Sequence, residues 1–148
     1  MAAIGKSDII EPLNRLLEIE YRSLAMYLGD ASPWLGQGDE PAAEALANIV
    51  ADQRAMSQRI AEMVLERGGR IVPGEYPMQF TDTHFLSLDY LLKELHYYQR
   101  QDIADIERIV AKLAGHRAAQ ELAEETLGAE RAHLEAIRAL LQPHRVGS

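Results

Sequence analysis

Ala129-Glu130-Arg131-Ala132-His133, lying between Leu127 and Leu134 late in the chain, is the stretch that decides the fold. Apolar residues around it recur at helical spacing through Leu127, Leu134, Ile137 and Leu141, and Glu130 and His133 fall on the same stripe. Two ionisable groups therefore occupy core-facing positions. Buried charge is costly unless it is paired or bound to a metal. Glu and His three residues apart on a helix project side by side, and Glu-x-x-His is a unit that helical bundles use to ligate metal. The segment thus calls for a helical bundle with further polar residues on the facing helices.

Three more helical stripes are readable upstream. The first helix is expected from about Asp8 to Asp30, with Leu13, Leu16, Leu17, Leu24 and Leu28 inward. Asp8 and Glu11 resemble a capping box, and Pro12 is tolerable in a first turn. The second is expected from Pro41 to Arg67, with Leu46, Ile49, Val50, Met56, Ile60 and Val64 inward and Gly68-Gly69 as its stop. The third is expected from Ser87 to Ala114, closed by Gly115, and the fourth from Arg117 to Leu141, with Pro143 preventing continuation. The turn at Gly115 is short, so the third and fourth helices are antiparallel neighbours, and the loop after Asp30 suits another antiparallel pair. Between Gly68 and Leu86 lies a segment with Pro73, Gly74 and Pro77 and no sustained periodicity. A structureless loop of that length is uncommon in a compact domain. A connection of about 19 residues can, however, run back along a helix roughly 38 Å long. The expected fold is all-α, a single four-helix bundle over residues 1–148 with one long crossover between helices two and three, which sets those two helices parallel.

Each helix carries a polar residue on its apolar stripe. Glu20 lies four residues from Leu16 and Leu24, whereas Glu18 points away to solvent. Gln53 is three residues from Val50, with Asp52 at the stripe edge. On helix three Asp102 is seven residues from Leu95 and four from Ile106, flanked by Gln99 and Tyr98. Folding the helices about their loops brings Glu20, Gln53, Asp102, Glu130 and His133 to similar heights. Two readings of that layer are open. One is a metal site, since carboxylates with one imidazole suit iron, manganese or zinc. The other is a hydrogen-bonded network in which protonated His133 pairs with a carboxylate and Gln53 satisfies the remaining lone pairs. Met26, Met56 and Met63 read as core filler, His96 as an interface or surface residue, His84 and His144 as solvated, and Glu124 and Glu125 as a solvated face.

Composition narrows the function classes. A net charge of −8 with no basic run argues against nucleic acid. The absence of cysteine excludes disulfides, thiolate catalysis, thiolate-bound zinc and iron–sulfur clusters. No stretch approaches the apolar length of a membrane span, and Met1 to Ile10 lacks the apolar core of a secretory signal, so a cytoplasmic setting with no membrane partner is expected. A hydrophobic fraction of 47% is ample for one core.

Leu13-Asn14-Arg15-Leu16-Leu17 followed by Glu20 and Tyr27, the Arg67-Gly68-Gly69 stop, and Ala129-Glu130-Arg131-Ala132-His133 together resemble the bacterioferritin and rubrerythrin side of the ferritin-like superfamily. The resemblance covers nearly the whole chain. It implies a ferritin-like bundle with metal-binding Glu20, Glu130 and His133, and homodimers formed through helices one and two. Such proteins take one Glu from each of two helices and a Glu-x-x-His from each of the other two. Here the second Glu-x-x-His falls on Gln53 and Met56, or on Asp52 and Ala55, and the helix-three Glu falls near Tyr98, Gln99 or Asp102. Asp102 and Gln53 are then substitute ligands in a depleted centre. The haem-ligating Met falls at Gln53 or Arg54, so no haem is expected. The leading expectation is a ferritin-like protein with a degenerate, mononuclear centre for iron, manganese or zinc. The alternatives are a metal-free homo-oligomeric interaction protein and an iron- or peroxide-linked oxidoreductase. Tyr21, Tyr90, Tyr97 and Trp34 add apolar surface for a homodimer.

Overall fold

The computed structural model describes residues 6–31, 40–85 and 87–141. Its helices are α1 (Lys6–Tyr21), α2 (Leu24–Ala31), α3 (Glu40–Glu66), α4 (Leu88–Lys112) and α5 (Arg117–Leu141), with a 3₁₀ helix at Met78–Phe85. Trp34, Pro143, His144 and the side chain of His84 lie outside the described residues.

The first helix is expected to be continuous and is instead two. Ser23 separates them. Its hydroxyl accepts from the Met26 backbone N–H at 3.0 Å, capping α2, and donates to Gln53 Oε1 at 2.6 Å. A serine with a side-chain partner on a facing helix competes with continuous helix and opens a break. Pro12 also differs from expectation. Because α1 begins at Lys6, Pro12 stands inside the helix rather than in its first turn, and its missing N–H forfeits one intrahelical bond. Its buried ring supplies packing at that point. On α4, Ser87, where the third helix is expected to begin, is the N-cap, accepting from the Tyr90 N–H.

α3 stops as the double glycine requires. Gly68 has φ +81°, the Gly69 N–H reaches the Val64 carbonyl at 2.9 Å and the Gly68 N–H reaches Leu65 at 3.0 Å. These are the two bonds of a Schellman cap, which returns orphan carbonyls to partners. The chain then travels along α1. The Asn14 side chain donates to the Arg70 carbonyl at 2.9 Å and accepts from the Val72 N–H at 2.8 Å. One turn and then another further along, Gly74 lies against Glu18, and Arg22 Nε donates to the Gly74 carbonyl at 2.9 Å. Gly74 has φ +75°, and a Cβ there would collide with the Glu18 carboxylate. Tyr76 and Phe80 then close on Tyr27, with ring centroids 5.2 and 5.7 Å away, and Phe80 also meets Tyr98 at 5.2 Å. The crossover therefore climbs α1 from its N-terminal to its C-terminal end before α4 starts.

The two apolar clusters fix the directions. One gathers the start of α1 (Leu13, Leu16), the end of α3 (Ile60, Val64), the end of α4 (Ile106, Ile109) and the start of α5 (Ala119, Leu122). The other gathers α2 (Leu24, Leu28), the start of α3 (Leu46, Ile49), the start of α4 (Leu91, Leu95) and Ile137 of α5. α3 and α4 thus run parallel, and a polar layer separates the clusters. Each buried leucine or isoleucine contributes on the order of 1.5–3 kcal/mol. The exposed ion pairs Arg15–Asp105, Arg59–Glu125 and Arg131–Glu107 link helices but contribute little.

Asn14 is the clip that holds the start of the crossover. Asn14→Ala should lower urea-unfolding stability by about 1–2 kcal/mol, the worth of two hydrogen bonds whose freed partners are exposed to water. No change in unfolding free energy would show that the crossover is held by its aromatic contacts alone.

Candidate functional site

The layer between the clusters is built from Glu20 on α1, Ser23 at the break, Gln53 on α3, Gln99 on α4, and Thr126, Glu130 and His133 on α5, all buried. Glu20, Gln53 and Glu130 are each 1% exposed, so their polar atoms depend on partners inside the protein rather than on water.

Glu130 is the hub. Gln53 Nε2 donates to its two oxygens at 3.1 and 3.3 Å. Gln99 Nε2 donates to Oε1 at 2.5 Å and to the Glu130 backbone carbonyl at 3.0 Å. His133 Nδ1 donates to Oε1 at 2.9 Å, and Glu20 shares a further hydrogen bond with the same carboxylate. The other imidazole nitrogen, Nε2, lies 2.9 Å from Asp52 Oδ2, whose side chain is otherwise solvated. Thr126 takes no part in this set: its hydroxyl donates to the Leu122 carbonyl within α5.

The protonation states follow from these partners. Burial pushes the Glu130 pKa up, but hydrogen bonds from His133 and Glu20 outweigh it and hold the carboxyl down at about 2. Burial pushes Glu20 up as well, here unopposed, and the neighbouring Glu130 charge adds to it, so Glu20 lies well above the carboxylate range. Glu20 therefore keeps its proton and donates it to Glu130. His133 is disfavoured as a cation by burial, yet Glu130 and then Asp52 raise its pKa above the ordinary value. The layer reads as one buried carboxylate, one imidazolium and one neutral carboxylic acid. Two carboxyls at close range separate in this way because both cannot ionise together.

Asp102, expected at the centre, stands at the rim. The buried face of α4 runs Leu92, Leu95, Gln99, Ile103, Ile106, which places Gln99 in the layer and turns Asp102 about 60° toward solvent. Asp102 is half-buried in a cleft with Arg15, Glu18 and Asp105. Burial first, then Glu130 and Asp105, push its pKa from 3.8 up to about 8 against the opposing pull of Arg15. Glu18, expected to be solvated, is only half exposed because the crossover covers it at Gly74. Glu125 is exposed as read. Sequence reading missed Ser23 and gave Gln99 and Asp52 flanking places. Ser23 lies three residues from Glu20 on the same helical face, which was the available signal.

A pair of metal ions does not fit this donor set. A cation needs lone pairs converging on one point, and here the approaches to Glu130 are taken by N–H and O–H donors. The amide nitrogens of Gln53 and Gln99 cannot ligate, and the Gln53 carbonyl oxygen faces the Ser23 hydroxyl. Among the described residues no group of three or more His, Cys, Asp or Glu side chains is disposed to hold a metal ion.

No protein-family model and no curated protein matches the chain. Solved structures do match. A chain described as "Humanized Archaeal ferritin" superposes with a TM-score of 0.74 at 17% identity, over 93% of this chain and 85% of that one. The architecture is therefore an all-α, ferritin-like bundle with one long crossover.

Two outcomes follow for the layer. His133→Ala removes the cation of a buried pair and should cost about 3–5 kcal/mol by urea unfolding. Stability should also fall as pH rises from about 5 to 8. In that range Asp102, with its pKa near 8, and Glu20 bind protons in the folded chain but not in the unfolded one, so unfolding releases protons. Toward pH 2 the sign reverses, because there the unfolded Glu130 takes up protons that the folded one refuses. Asp102→Asn should flatten the decline between pH 5 and 8. An unchanged slope would mean that Asp102 ionises normally.

Proposed function

We propose that this chain is a ferritin-like bundle whose coupled di-metal centre has given way to a proton-bridged polar layer, and that it works as a homo-oligomeric interaction or structural protein of the cytoplasm. The observation that carries this reading is the pair of amides, Gln53 and Gln99, both turned to donate to Glu130. Where a di-metal bundle presents carboxylates to cations, this chain presents N–H groups to a carboxylate. The layer has its positive charge from His133 and needs none from a metal. Exposed aromatics, Tyr21 at 40%, Tyr90 at 62% and Tyr97 at 51%, supply surface for self-association. No described helix is long and apolar enough to cross a membrane.

One observation favours a second reading. Glu20 Oε2 is buried without a hydrogen-bond partner. An orphan carboxyl oxygen beside Glu130 and His133 is where a single divalent ion, iron, manganese or zinc, would gain a ligand if Glu20 gave up its proton. Asp102 and Gln53 would complete that set only by turning inward and by flipping the amide, respectively.

Elemental analysis of protein purified without chelators or nickel affinity, with thermal unfolding in EDTA and in added Fe²⁺, Mn²⁺ or Zn²⁺, separates the readings. The metal-free layer predicts substoichiometric metal and a midpoint that none of the ions raises. One ion per chain with a midpoint several degrees higher would replace it with the mononuclear centre. Light scattering at micromolar concentration should give a dimer or larger assembly, and a strict monomer would remove the oligomeric part.

A further inference from the structure

The outer face of α4 carries a second pattern, independent of the stripe that α4 turns to the core. Tyr90, Tyr97, Ala104 and Ala111 follow one another at intervals of seven residues. On a helix this line lies about 180° round from Leu95, Gln99 and Ile106, the residues that α4 buries. Tyr90, Tyr97 and Ala111 are exposed and Ala104 is half-buried. The line is about 32 Å long. A strict seven-residue repeat is the spacing of a helix that packs lengthwise on another helix, since it keeps one seam facing the partner. The outward line of α5 has no such seam: it is Glu121, Glu124, Gly128 and Glu135, all exposed.

The two tyrosines are held in position. Lys93 Nζ lies 5.3 Å from the Tyr90 ring centroid. Gln101 Nε2 donates to the Tyr97 hydroxyl at 2.9 Å, and the Tyr97 ring meets that of Tyr98 edge-on at 5.2 Å. Exposed aromatics that are already ordered lose little side-chain entropy when a surface covers them, which suits them as interface anchors.

Charge identifies what covers the seam. Its two edges repeat at seven residues as well: Glu94, Gln101 and Arg108 on one side, Lys93, Arg100 and Glu107 on the other. When two copies of one helix pack antiparallel, each edge meets its own copy reversed. With the two-fold axis between Arg100 and Gln101, Glu94 of one protomer faces Arg108 of its partner, and Lys93 faces Glu107. Along the seam, Tyr97 then lies against Ala104 and Tyr90 against Ala111, large residue against small throughout. A parallel pairing would set every charge and every tyrosine on its own copy, and a slip of one heptad would set Tyr97 against Tyr97. Arg108 already pairs with Asp105, and Glu107 with Arg131, within the chain. Both side chains are exposed and keep further hydrogen-bonding capacity. Among the described residues Lys93 and Glu94 enter no ion pair. At the axis Arg100 approaches its own copy, the one unfavourable meeting in this register.

We propose that the outer face of α4 is a docking surface for a second copy of this chain, joined to it as an antiparallel, two-fold α4–α4 pair. The proposal rests on the homo-oligomeric reading above and gives that reading a surface and a register. It places the interface away from the α1–α3 side.

The test is sedimentation equilibrium on the full-length protein, with circular dichroism to confirm that each variant keeps its helices. Every substitution acts twice in a two-fold dimer. Tyr97→Glu should raise the dimer Kd by about tenfold or more. Glu94→Arg alone and Arg108→Glu alone should each raise it about tenfold, and the two together should return it to within about threefold of wild type. Arg100→Gln should tighten the dimer, because it removes the like-charge meeting at the axis. The chain has no cysteine, so Gln101→Cys places a unique thiol beside the axis. A short bismaleimide should link that variant into a covalent dimer and leave Glu124→Cys, on α5, monomeric. A dimer of wild-type affinity in Tyr97→Glu, or single reversals that the double variant does not rescue, would overturn the α4 pairing and leave the homo-oligomeric reading standing. A wild-type chain that stays monomeric would remove both.

Discussion

A single carboxylate, Glu130, sets the terms for the bundle's middle. Fully buried and ionised, it has to be surrounded by donors, and each of the other main helices supplies one: Glu20 from α1, Gln53 from α3, Gln99 from α4, with His133 one turn along its own helix. Apolar clusters above and below stabilise the bundle but are tolerant of small shifts, because dispersion and burial have no direction. The hydrogen bonds to Glu130 are directional and expensive to leave unmade. They fix where along its length each helix meets the others.

The same layer explains the local irregularities. Ser23 breaks the first helix in order to cap α2 and to fill the last acceptor of Gln53. With the Ser23 hydroxyl on its carbonyl oxygen, the Gln53 amide is oriented, and its nitrogen is left to face Glu130. Asp52, one residue from Gln53 and turned outward, closes the chain of partners at the surface by taking the far nitrogen of His133. Among the described residues, Glu20 Oε2 is the one fully buried side-chain oxygen of this layer without a hydrogen-bond partner.

Much of this was legible in the sequence because helical periodicity is a long-range signal. Stripes such as Leu46, Ile49, Met56, Ile60 and Val64 repeat often enough to fix both the helix and its inward face, and Glu20, Gln53, Glu130 and His133 inherit their burial from that phase. The double glycine at Gly68-Gly69 and the aperiodic stretch after it gave the crossover. What was not legible depended on single residues. Asp102 and Gln99 both lie close to the centre of the α4 stripe, and a phase difference of less than one residue decides between them. The break at Ser23 depends on a partner thirty residues away, which no local pattern encodes. Nor could spacing say whether Glu130 would meet cations or N–H groups. That follows from which way two amides point, a property of the assembled core.

The crossover has one more effect, on how the chain assembles itself. By carrying the chain back along α1, it divides the molecule into two hairpins, α1–α3 and α4–α5, each made of sequence-local contacts and able to collapse early. Neither hairpin alone can satisfy the middle layer. The second holds Glu130, His133 and Gln99, and the first holds Glu20, Ser23 and Gln53. A docking slipped by one helical turn would still match leucine against leucine, but it would leave an ionised carboxylate in a dry interior without half of its donors. The layer therefore proofreads the union of the hairpins, penalising every register but one.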